Sequence, residues 1–353
     1  MSRKILILGA SYGSLLGVKL ALAGHSVKLV CLPAEAKLIN EKGAIVRLPV
    51  KGREGLVEVN SRDLPGEVTA GGTEATDPRA FDLVVLAMQE PQYGSPGVRE
   101  LLDAVAKSRV PCMSIMNMPP LPYLARLPGV DPARCRESYT DPAVWASFDP
   151  KTMTLCSPDP QAFRPPEEGV NVLQVRLPTN FKAARFDSEA DTVLLRELAA
   201  SVEAARFDTG KERIELPVKL KVHDSVFVPL AKWAMLMAGN YRCVQANGVR
   251  SIKDTIHSDL AASRAVYDWV VDLCVSMGAS RDDMVPFDKY ANAALSLGSP
   301  SSAARALAAG ASRIERVDRL VQAIAAQRGK RLDALDEIVK LVDDWLERNR
   351  RKG

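Results

Sequence analysis

The first thirty residues constrain the fold of this chain more than any other stretch. Lys4–Leu8 is a short apolar run, which is typical of a buried parallel strand. A glycine-bearing turn follows it, helical periodicity runs over 14–23, and Gly24 stands where helices commonly end. Residues 27–32 form a second apolar run. A strand, a tight turn, a helix and another strand predict a βαβ unit that opens an α/β sheet.

The turn Gly9-Ala10-Ser11-Tyr12-Gly13 predicts an anion site. A helix N-terminus offers unsatisfied N–H groups, and small residues let a phosphate approach them. The turn departs from the usual G-x-G-x-x-G, because Ser11 replaces the middle glycine and the loop is one residue short. Its context favours dinucleotide binding, with Gly9, Ser11, Tyr12 and Gly13 as cofactor contacts. The alternative is a βαβ unit that binds nothing.

Composition excludes several classes of protein. The 353 residues suit one large or two moderate domains, and a net charge of +4 does not demand nucleic acid. Six scattered cysteines without CxxC and three histidines without metal spacing predict buried reduced thiols and no metal. No apolar run suits a signal peptide or a membrane span. We therefore expect a soluble cytoplasmic protein that acts on a small molecule.

Polar side chains follow the later predicted strands of the first half. Strands are expected at 44–49, 55–59, 82–88 and 110–116, a helix at 98–107 and a loop at 67–78. Gln89, Gln92 and Asn117 fall at strand ends, where open α/β sheets bind ligands. Each could equally belong to an ordinary loop. The residues after the second strand do not decide between NAD and NADP. Glu35 suits the free ribose 2′-hydroxyl of NAD, whereas Lys37 suits the 2′-phosphate of NADP.

The second half reads as successive helices. Residues 118–185 are rich in proline, with a few short strands expected, including one at 170–177. A helix is expected at 191–205, and 207–219 is interpreted as a crossover into a second domain. Helices without strands are then predicted at 224–240, 252–277, 283–296, 301–307, 313–327 and 332–349. The predicted fold is a Rossmann-like α/β domain at 1–216 and an all-helical domain at 217–353, which could also mediate homodimerisation.

Lys232 is the unusual residue of the helical half. It is the only charged residue between Asp224 and Asn240 in DSVFVPLAKWAMLMAGN, so its helix should be buried. Burial lowers the pKa of a lysine and suits it to proton transfer near neutral pH. The alternative is a packed stem whose ammonium reaches water. Asn240 lies about two helical turns further along.

Four stretches resemble the ketopantoate reductase (2-dehydropantoate 2-reductase) family: KILILGASYGSLLGVKLALAGHSVKLV, FDLVVLAMQEPQ, SIMN and LAKWAMLMAGN. The resemblance implies a Rossmann domain, a helical domain like that of 6-phosphogluconate dehydrogenase, and NADP as cofactor, with NAD as the other option. It also implies a place in pantothenate biosynthesis. Gln92 matches the family's strand-end glutamine, and Gln89 stands where a lysine is usual.

The same resemblance implies roles for individual residues. Lys232 falls on the general acid, Asn240 on a substrate ligand and Asn117 on the asparagine near the nicotinamide. The substrate-binding serine segment and its acid have counterparts in PSSAARALAAGASRIERVD. The candidates there are Ser301, Ser302 and Glu315, with Asp318 as a substitute for Glu315.

The departures from the family pattern point to a changed substrate. Leu32 stands where NADP-using members tend to carry Arg, Met118 replaces a glycine after Asn117, and Leu236 replaces the first helix asparagine. We therefore expect an NAD(P)H-dependent reductase of a 2-oxo acid or related carbonyl, with substrate in the cleft between the domains. The alternatives are an opine-type imine reductase and a non-catalytic nucleotide-binding relative.

Overall fold

The computed structural model describes residues 2–74 and 76–352, which divide into two units. The first unit comprises Met1–Met88, Gln92–Met116 and Val144–Asp224. The second comprises Gln89–Pro91, Asn117–Ala143 and Ser225–Gly353. The sequence placed one boundary after residue 216. That boundary stays a prediction. The second unit also includes two segments from earlier in the chain, because they contact residues that follow much later.

The first unit alternates strands and helices in its first half and then continues mainly with strands. Its elements are β1 (Lys4–Leu8), α1 (Tyr12–Leu22), β2 (Ser26–Val30), α2 (Pro33–Lys42), β3 (Ile45–Pro49), β4 (Leu56–Asn60), β5 (Glu67–Gly71), β6 (Leu83–Leu86), α3 (Val98–Ser108), β7 (Cys112–Ile115), β8 (Met153–Ser157), β9 (Gln161–Phe163), β10 (Val172–Leu177), β11 (Phe181–Ala184), α4 (Glu189–Ala204), β12 (Phe207–Asp208), β13 (Arg213–Ile214) and β14 (Leu220–His223).

The main sheet has the strand order of dinucleotide-binding folds. Among the described residues it contains eight strands in the order β14-β11-β8-β7-β6-β1-β2-β5. The run from β5 to β8 is parallel throughout, with β1 between β2 and β6. The chain order reverses between β1 and β6, and the carboxyl ends of strands at such a switch point form a ligand crevice. The predicted Rossmann-like fold is confirmed.

Two expectations for the first unit are wrong. The expected loop at 67–78 begins with β5, an edge strand whose small and polar residues pair with β2 instead of filling a core. The expected crossover at 207–219 contains the β12–β13 hairpin and leads into β14, which pairs with β11. A smaller sheet, ordered β4-β3-β10-β9, joins the insertion after α2 to the strands that follow β8.

Helix α1 is buried along nearly its whole length. Its residues from Gly13 to Leu22 are all buried. Gly17 permits the helix to lie close to the sheet, since a Cβ there would be 3.3 Å from Val27 Cγ1. Lys19 is buried too, and its Nζ donates to the Leu216 carbonyl at 3.1 Å. Burial, and then the nearby Lys219, lower the pKa of Lys19 to about 7.

Among the residues that the structure describes, the second unit is helical except for one short hairpin. Its elements are α5 (Lys232–Met235), β15 (Val244–Gln245), β16 (Gly248–Val249), α6 (Ile252–His257), α7 (Leu260–Ser276), α8 (Phe287–Ala294), α9 (Ser302–Ala308), α10 (Val317–Gln327) and α11 (Asp333–Lys352). The sequence predicted no strand here and one helix over 252–277. The break between α6 and α7 arises at Asp259, whose side chain accepts from Ala262 N and caps a new helix.

The proline-rich segment 117–143 packs within the second unit through short 3₁₀ turns. The Tyr123 hydroxyl donates to the Val226 carbonyl at 2.7 Å, and Asp131 N donates to the Gln327 side chain at 2.8 Å. These contacts span 103 and 196 residues of sequence, so no local sequence pattern predicts them.

Among the described residues, the helices are all too short or too polar to cross a membrane.

Candidate active site

In the first unit, the turn after β1 lies against the end of β6. Gly9 has φ +103°, and its N–H donates to the Val30 carbonyl at 2.8 Å. A Cβ on Gly9 would be 2.7 Å from the Ala87 carbonyl oxygen and 2.6 Å from Met88 Cγ. Glycine is therefore required by both the backbone conformation and the space at the switch point. This geometry keeps side-chain bulk out of the place where the crevice begins.

Gly13 has a packing role within this turn. A Cβ there would be 2.8 Å from Ile7 Cγ2, so Gly13 lets α1 approach β1 closely. Ser11 is half-buried just before α1, and its side chain makes no capping hydrogen bond. The Tyr12 hydroxyl donates to the Pro160 carbonyl at 2.9 Å, and burial raises the pKa of Tyr12 to about 12. The cofactor roles of these residues stay predictions.

The end of β2 carries an ion pair that sequence reasoning missed. Leu32 is 74% exposed, whereas Glu35 is buried and pairs with Arg164, which follows β9. Burial raises the pKa of Glu35, and the guanidinium of Arg164 opposes that rise. Lys37 is exposed, and its Nζ lies 3.9 Å from Glu41 Oε1. Arg164 is 129 residues from Glu35 in a segment without clear periodicity, so no sequence signal pointed to it.

In the second unit, Glu315 and Asn117 lie together. Glu315 Oε1 accepts from the Glu90 backbone N–H at 3.2 Å, and the side chain of Asn117 also hydrogen-bonds the Glu315 carboxyl. The Asn117 carbonyl accepts from Trp233 Nε1 at 3.4 Å. Asn117 Oδ1 is buried without a hydrogen-bond partner among the described residues. It is an acceptor available to a ligand.

Lys232 lies within electrostatic range of Glu315. It is half-buried at the start of α5, and its positive charge lowers the pKa of Glu315. Burial outweighs that effect and raises the pKa of Glu315 to about 7. Lys232, Glu315 and Asn117 come from three separate parts of the sequence, and the fold of the second unit brings them together.

The helix predicted over 224–240 is not regular. It consists of a 3₁₀ turn, α5 and a π-helical segment, Leu236–Asn240. The Tyr290 hydroxyl donates to the Met235 carbonyl at 3.2 Å. A Cβ at Gly239 would overlap that hydroxyl, so glycine makes room for it. A side chain inserted in this way is a known cause of an irregular turn.

The π segment changes the face that Asn240 occupies. In a regular α-helix, eight residues would place Asn240 about 80° around the axis from Lys232. A π turn rotates less per residue because its hydrogen bond spans five residues instead of four. The segment therefore lessens that angular offset. Asn240 is half-buried, and its backbone carbonyl accepts from Ser301 Oγ at 2.7 Å.

The remaining candidates have structural contacts of their own. Ser301 is buried and caps α9 through Ala304 N, whereas Ser302 is exposed. Asp318 is fully buried in a bidentate pair with Arg316, at 3.0 and 2.8 Å, so its carboxylate is already occupied. Gln89 and Gln92 are both exposed. The roles proposed for these residues stay predictions.

Tyr241 supports the acid and was not found from sequence. Its hydroxyl donates to the Glu315 carbonyl and accepts from Val317 N at 3.1 Å, so it fixes the backbone on both sides of Arg316. Its position directly after Asn240 was the only available signal.

The six cysteines form no disulfide, and five of them are buried. Among the described residues there is no His, Cys, Asp and Glu cluster that could hold a metal ion.

Comparisons with known proteins address the fold. A scan against family models finds no match, and a search of curated proteins finds no relative. Solved structures do match over nearly the full length. The 2-dehydropantoate 2-reductase from Methylococcus capsulatus superposes with a TM-score of 0.65 at 16% identity, over 98% of this chain and 97% of that one. This chain has the ketopantoate reductase fold.

Two further structures share the ketopantoate reductase fold. A ketopantoate reductase from Ralstonia eutropha has a TM-score of 0.60 at 16% identity, over 98% of this chain and 99% of its own. D-mandelate dehydrogenase, solved with NADH and anilino(oxo)acetate, has a TM-score of 0.64 at 13% identity, over 98% of this chain and 99% of its own. The resemblance inferred from four sequence stretches is thus confirmed at the level of the fold.

Proposed function

We propose that the chain is an NAD(P)H-dependent reductase of a 2-oxo acid or a related carbonyl. The observation that carries this proposal is the cluster of Lys232, Glu315 and Asn117 in the second unit. The strand order of the first unit and the crowded Gly9 turn support a dinucleotide site there. The likeness to D-mandelate dehydrogenase, solved with NADH and anilino(oxo)acetate, supports the same class of reaction.

Residues of the first unit would hold the dinucleotide. The N–H groups at the start of α1 would receive its pyrophosphate, because the helix has no acid in its first turn. Glu35 is buried and already neutralised by Arg164, whose side chain stays 33% exposed. An arginine that retains free N–H groups suits a 2′-phosphate. We therefore favour NADPH over NADH, and Arg164→Ala should weaken NADPH binding more than NADH binding in calorimetry.

Residues of the second unit would act on the substrate. The nicotinamide, when bound, would supply a hydride to the carbonyl carbon. Lys232 donates a proton from Nζ to the carbonyl oxygen as negative charge develops on it. Asn117 Oδ1 and the side chain of Asn240 orient polar groups of the ligands.

The test is a panel of 2-oxo acids with NADPH and NADH, followed by loss of cofactor absorbance. Lys232→Ala should lower turnover by about 10²-fold or more. Lys253→Ala is the matched control, because Lys253 is an exposed lysine of the same unit. Turnover of Lys232→Ala equal to that of the control would remove the mechanism.

The same panel separates the alternatives. Consumption of cofactor only when an amine accompanies the oxo acid would identify an imine reductase of the opine type. Calorimetric binding of NADPH without consumption across the panel would identify a non-catalytic nucleotide-binding protein.

A further inference from the structure

Two arginines of the second unit converge on the corner between α6 and α7. Arg242 Nη1 donates to Ser263 Oγ at 2.8 Å and to the Ala238 carbonyl at 3.2 Å. Arg250 Nη1 donates to Ser258 Oγ at 3.2 Å. Ser258 directly follows α6, and Ser263 lies in the first turn of α7. No step of the proposed reduction uses this corner.

The β15–β16 hairpin and the end of α6 fix the positions of both arginines. Arg250 N donates to the Cys243 carbonyl at 3.0 Å, so Arg250 lies across the hairpin from the residue that follows Arg242. The Ser263 hydroxyl donates to the Ile256 carbonyl at 3.2 Å and ties the start of α7 to the end of α6. The two guanidinium groups therefore reach the same corner from adjacent positions of the hairpin.

The protein does not neutralise either guanidinium by an ion pair. Within the described ranges 2–74 and 76–352, no carboxylate lies within ion-pair distance of Arg242 or Arg250. The carboxylates of Asp259 and Glu337 act on Arg242 from further away, and both side chains are exposed. Asp259 also caps α7. Exposed acids offset a half-buried positive charge only weakly, because water screens them.

The two positive charges also repel each other. Burial, and then the charge of Arg250, lower the pKa of Arg242. Arg250 Nε is buried without a hydrogen-bond partner among the described residues, and an unpaired buried donor costs free energy. Both side chains are half-buried, so each keeps an accessible part. An anion at this corner would offset the repulsion and offer acceptors to the unpaired donors.

We propose that Arg242 and Arg250 bind a phosphate dianion at the α6–α7 corner, either as inorganic phosphate or as the phosphate group of a phosphorylated small molecule. The planar fork of N–H donors on arginine matches phosphate oxygens. Two neighbouring positive charges favour a dianion over a single carboxylate. The exposed Ser258 hydroxyl would provide a further donor.

Arg250→Ala tests the site by calorimetry with inorganic phosphate, in the full chain without cofactor. Truncation should leave the fold intact, because the Arg250 side chain hydrogen-bonds only the exposed Ser258 among the described residues. Phosphate binding should weaken by about tenfold or more. Arg250→Lys should lose less, since it keeps the charge without the fork. Arg281→Ala is the control, because Arg281 is exposed in the same unit and paired with Asp272.

Ser258→Asp provides a second measurement if Arg250→Ala does not fold. Its carboxylate would compete for the arginines and should weaken phosphate binding by about tenfold. The neutral Ser258→Asn should bind phosphate as the wild type does. Absence of phosphate binding by the wild type overturns the proposal, as does equal binding by the wild type and Arg250→Ala. Acetate binding as tight as phosphate binding at the same ionic strength would also overturn it.

Arg164→Ala distinguishes this corner from the proposed dinucleotide site. Phosphate binding that is lost in Arg164→Ala but retained in Arg250→Ala would place the anion in the first unit and overturn the proposal. Glycerol 3-phosphate, titrated in parallel, identifies the source of the phosphate. Tighter binding than that of inorganic phosphate, again weakened in Arg250→Ala, supports a phosphorylated small molecule, and the reverse order supports free phosphate. Phosphate binding that requires Arg250 in a protein that reduces no 2-oxo acid would support the site and refute only the proposed function.

Discussion

Gly9→Ala tests whether the close approach of β1 and β6 in the first unit requires glycine. The residue has φ +103°, in the region that L-amino acids avoid. A new Cβ would meet the Ala87 carbonyl oxygen at 2.7 Å and Met88 Cγ at 2.6 Å. Backbone atoms at the end of a central strand cannot withdraw easily, so overlap and backbone strain should both contribute.

The expected loss of stability can be separated into two parts. The backbone conformation should cost about 1–2 kcal/mol and the overlap about 1–3 kcal/mol, which together give about 2–5 kcal/mol. Gly24→Ala is the matched control. Gly24 has φ +85° but nothing within 4 Å of a new Cβ, so only the backbone cost of about 1–2 kcal/mol should appear.

The free energy of unfolding of the first unit can be measured in urea. Trp145 is the only tryptophan of the first unit, so its ¹⁹F signal after fluorotryptophan labelling reports on this unit separately. Equal losses of stability in Gly9→Ala and Gly24→Ala would refute the reasoning, because they would show that the strand ends can move apart at little cost. A larger loss in Gly9→Ala would support it.

Three further predictions concern buried polar groups. Because the pKa of Lys19 is lowered to about 7 in the folded state, from an ordinary 10.5, the unfolded state binds more protons between these values and stability rises with pH. Lys19→Met should therefore be more stable than the wild type at pH 7, and this difference in the free energy of unfolding should shrink at pH 10 in urea titrations. An equal difference at pH 7 and pH 10 would contradict this. Tyr290→Phe removes the hydroxyl at the π segment and should raise KM by shifting Asn240, with the backbone change visible in a crystal structure; an unaltered segment would exclude this role. Asp318→Asn removes the buried bidentate carboxylate from Arg316, which keeps only its ion pair with Asp343, and should cost about 3 kcal/mol in urea unfolding, whereas a loss below about 1 kcal/mol would contradict it.

Local patterns determined much of the fold from sequence. β1 has the predicted bounds, and α1 and α3 lie within two residues of theirs, because each combines an apolar period with a clear end signal. β5 was missed because an edge strand of small and polar residues carries no apolar period. It becomes a strand only through hydrogen bonds to β2.

The candidate site was only partly accessible to sequence reasoning. Lys232 stood out because it is a lone charge in an apolar helix, and Asn117 because it follows a strand. Glu90 and Arg164 carried no such signal. Their partners lie 225 and 129 residues away, and only the folded chain places them together.

The sequence by itself determined that the chain opens with a βαβ unit, continues into a helical half and carries a lone lysine in an apolar segment there. The tertiary structure decided which acid lies within electrostatic range of that lysine, where the helix that follows it becomes irregular, and which of the candidate acids is already paired. The physical reason is the range of the interactions. Periodicity and end signals act over a few residues, whereas ion pairs, hydrogen bonds and burial depend on contacts between segments that the sequence keeps far apart.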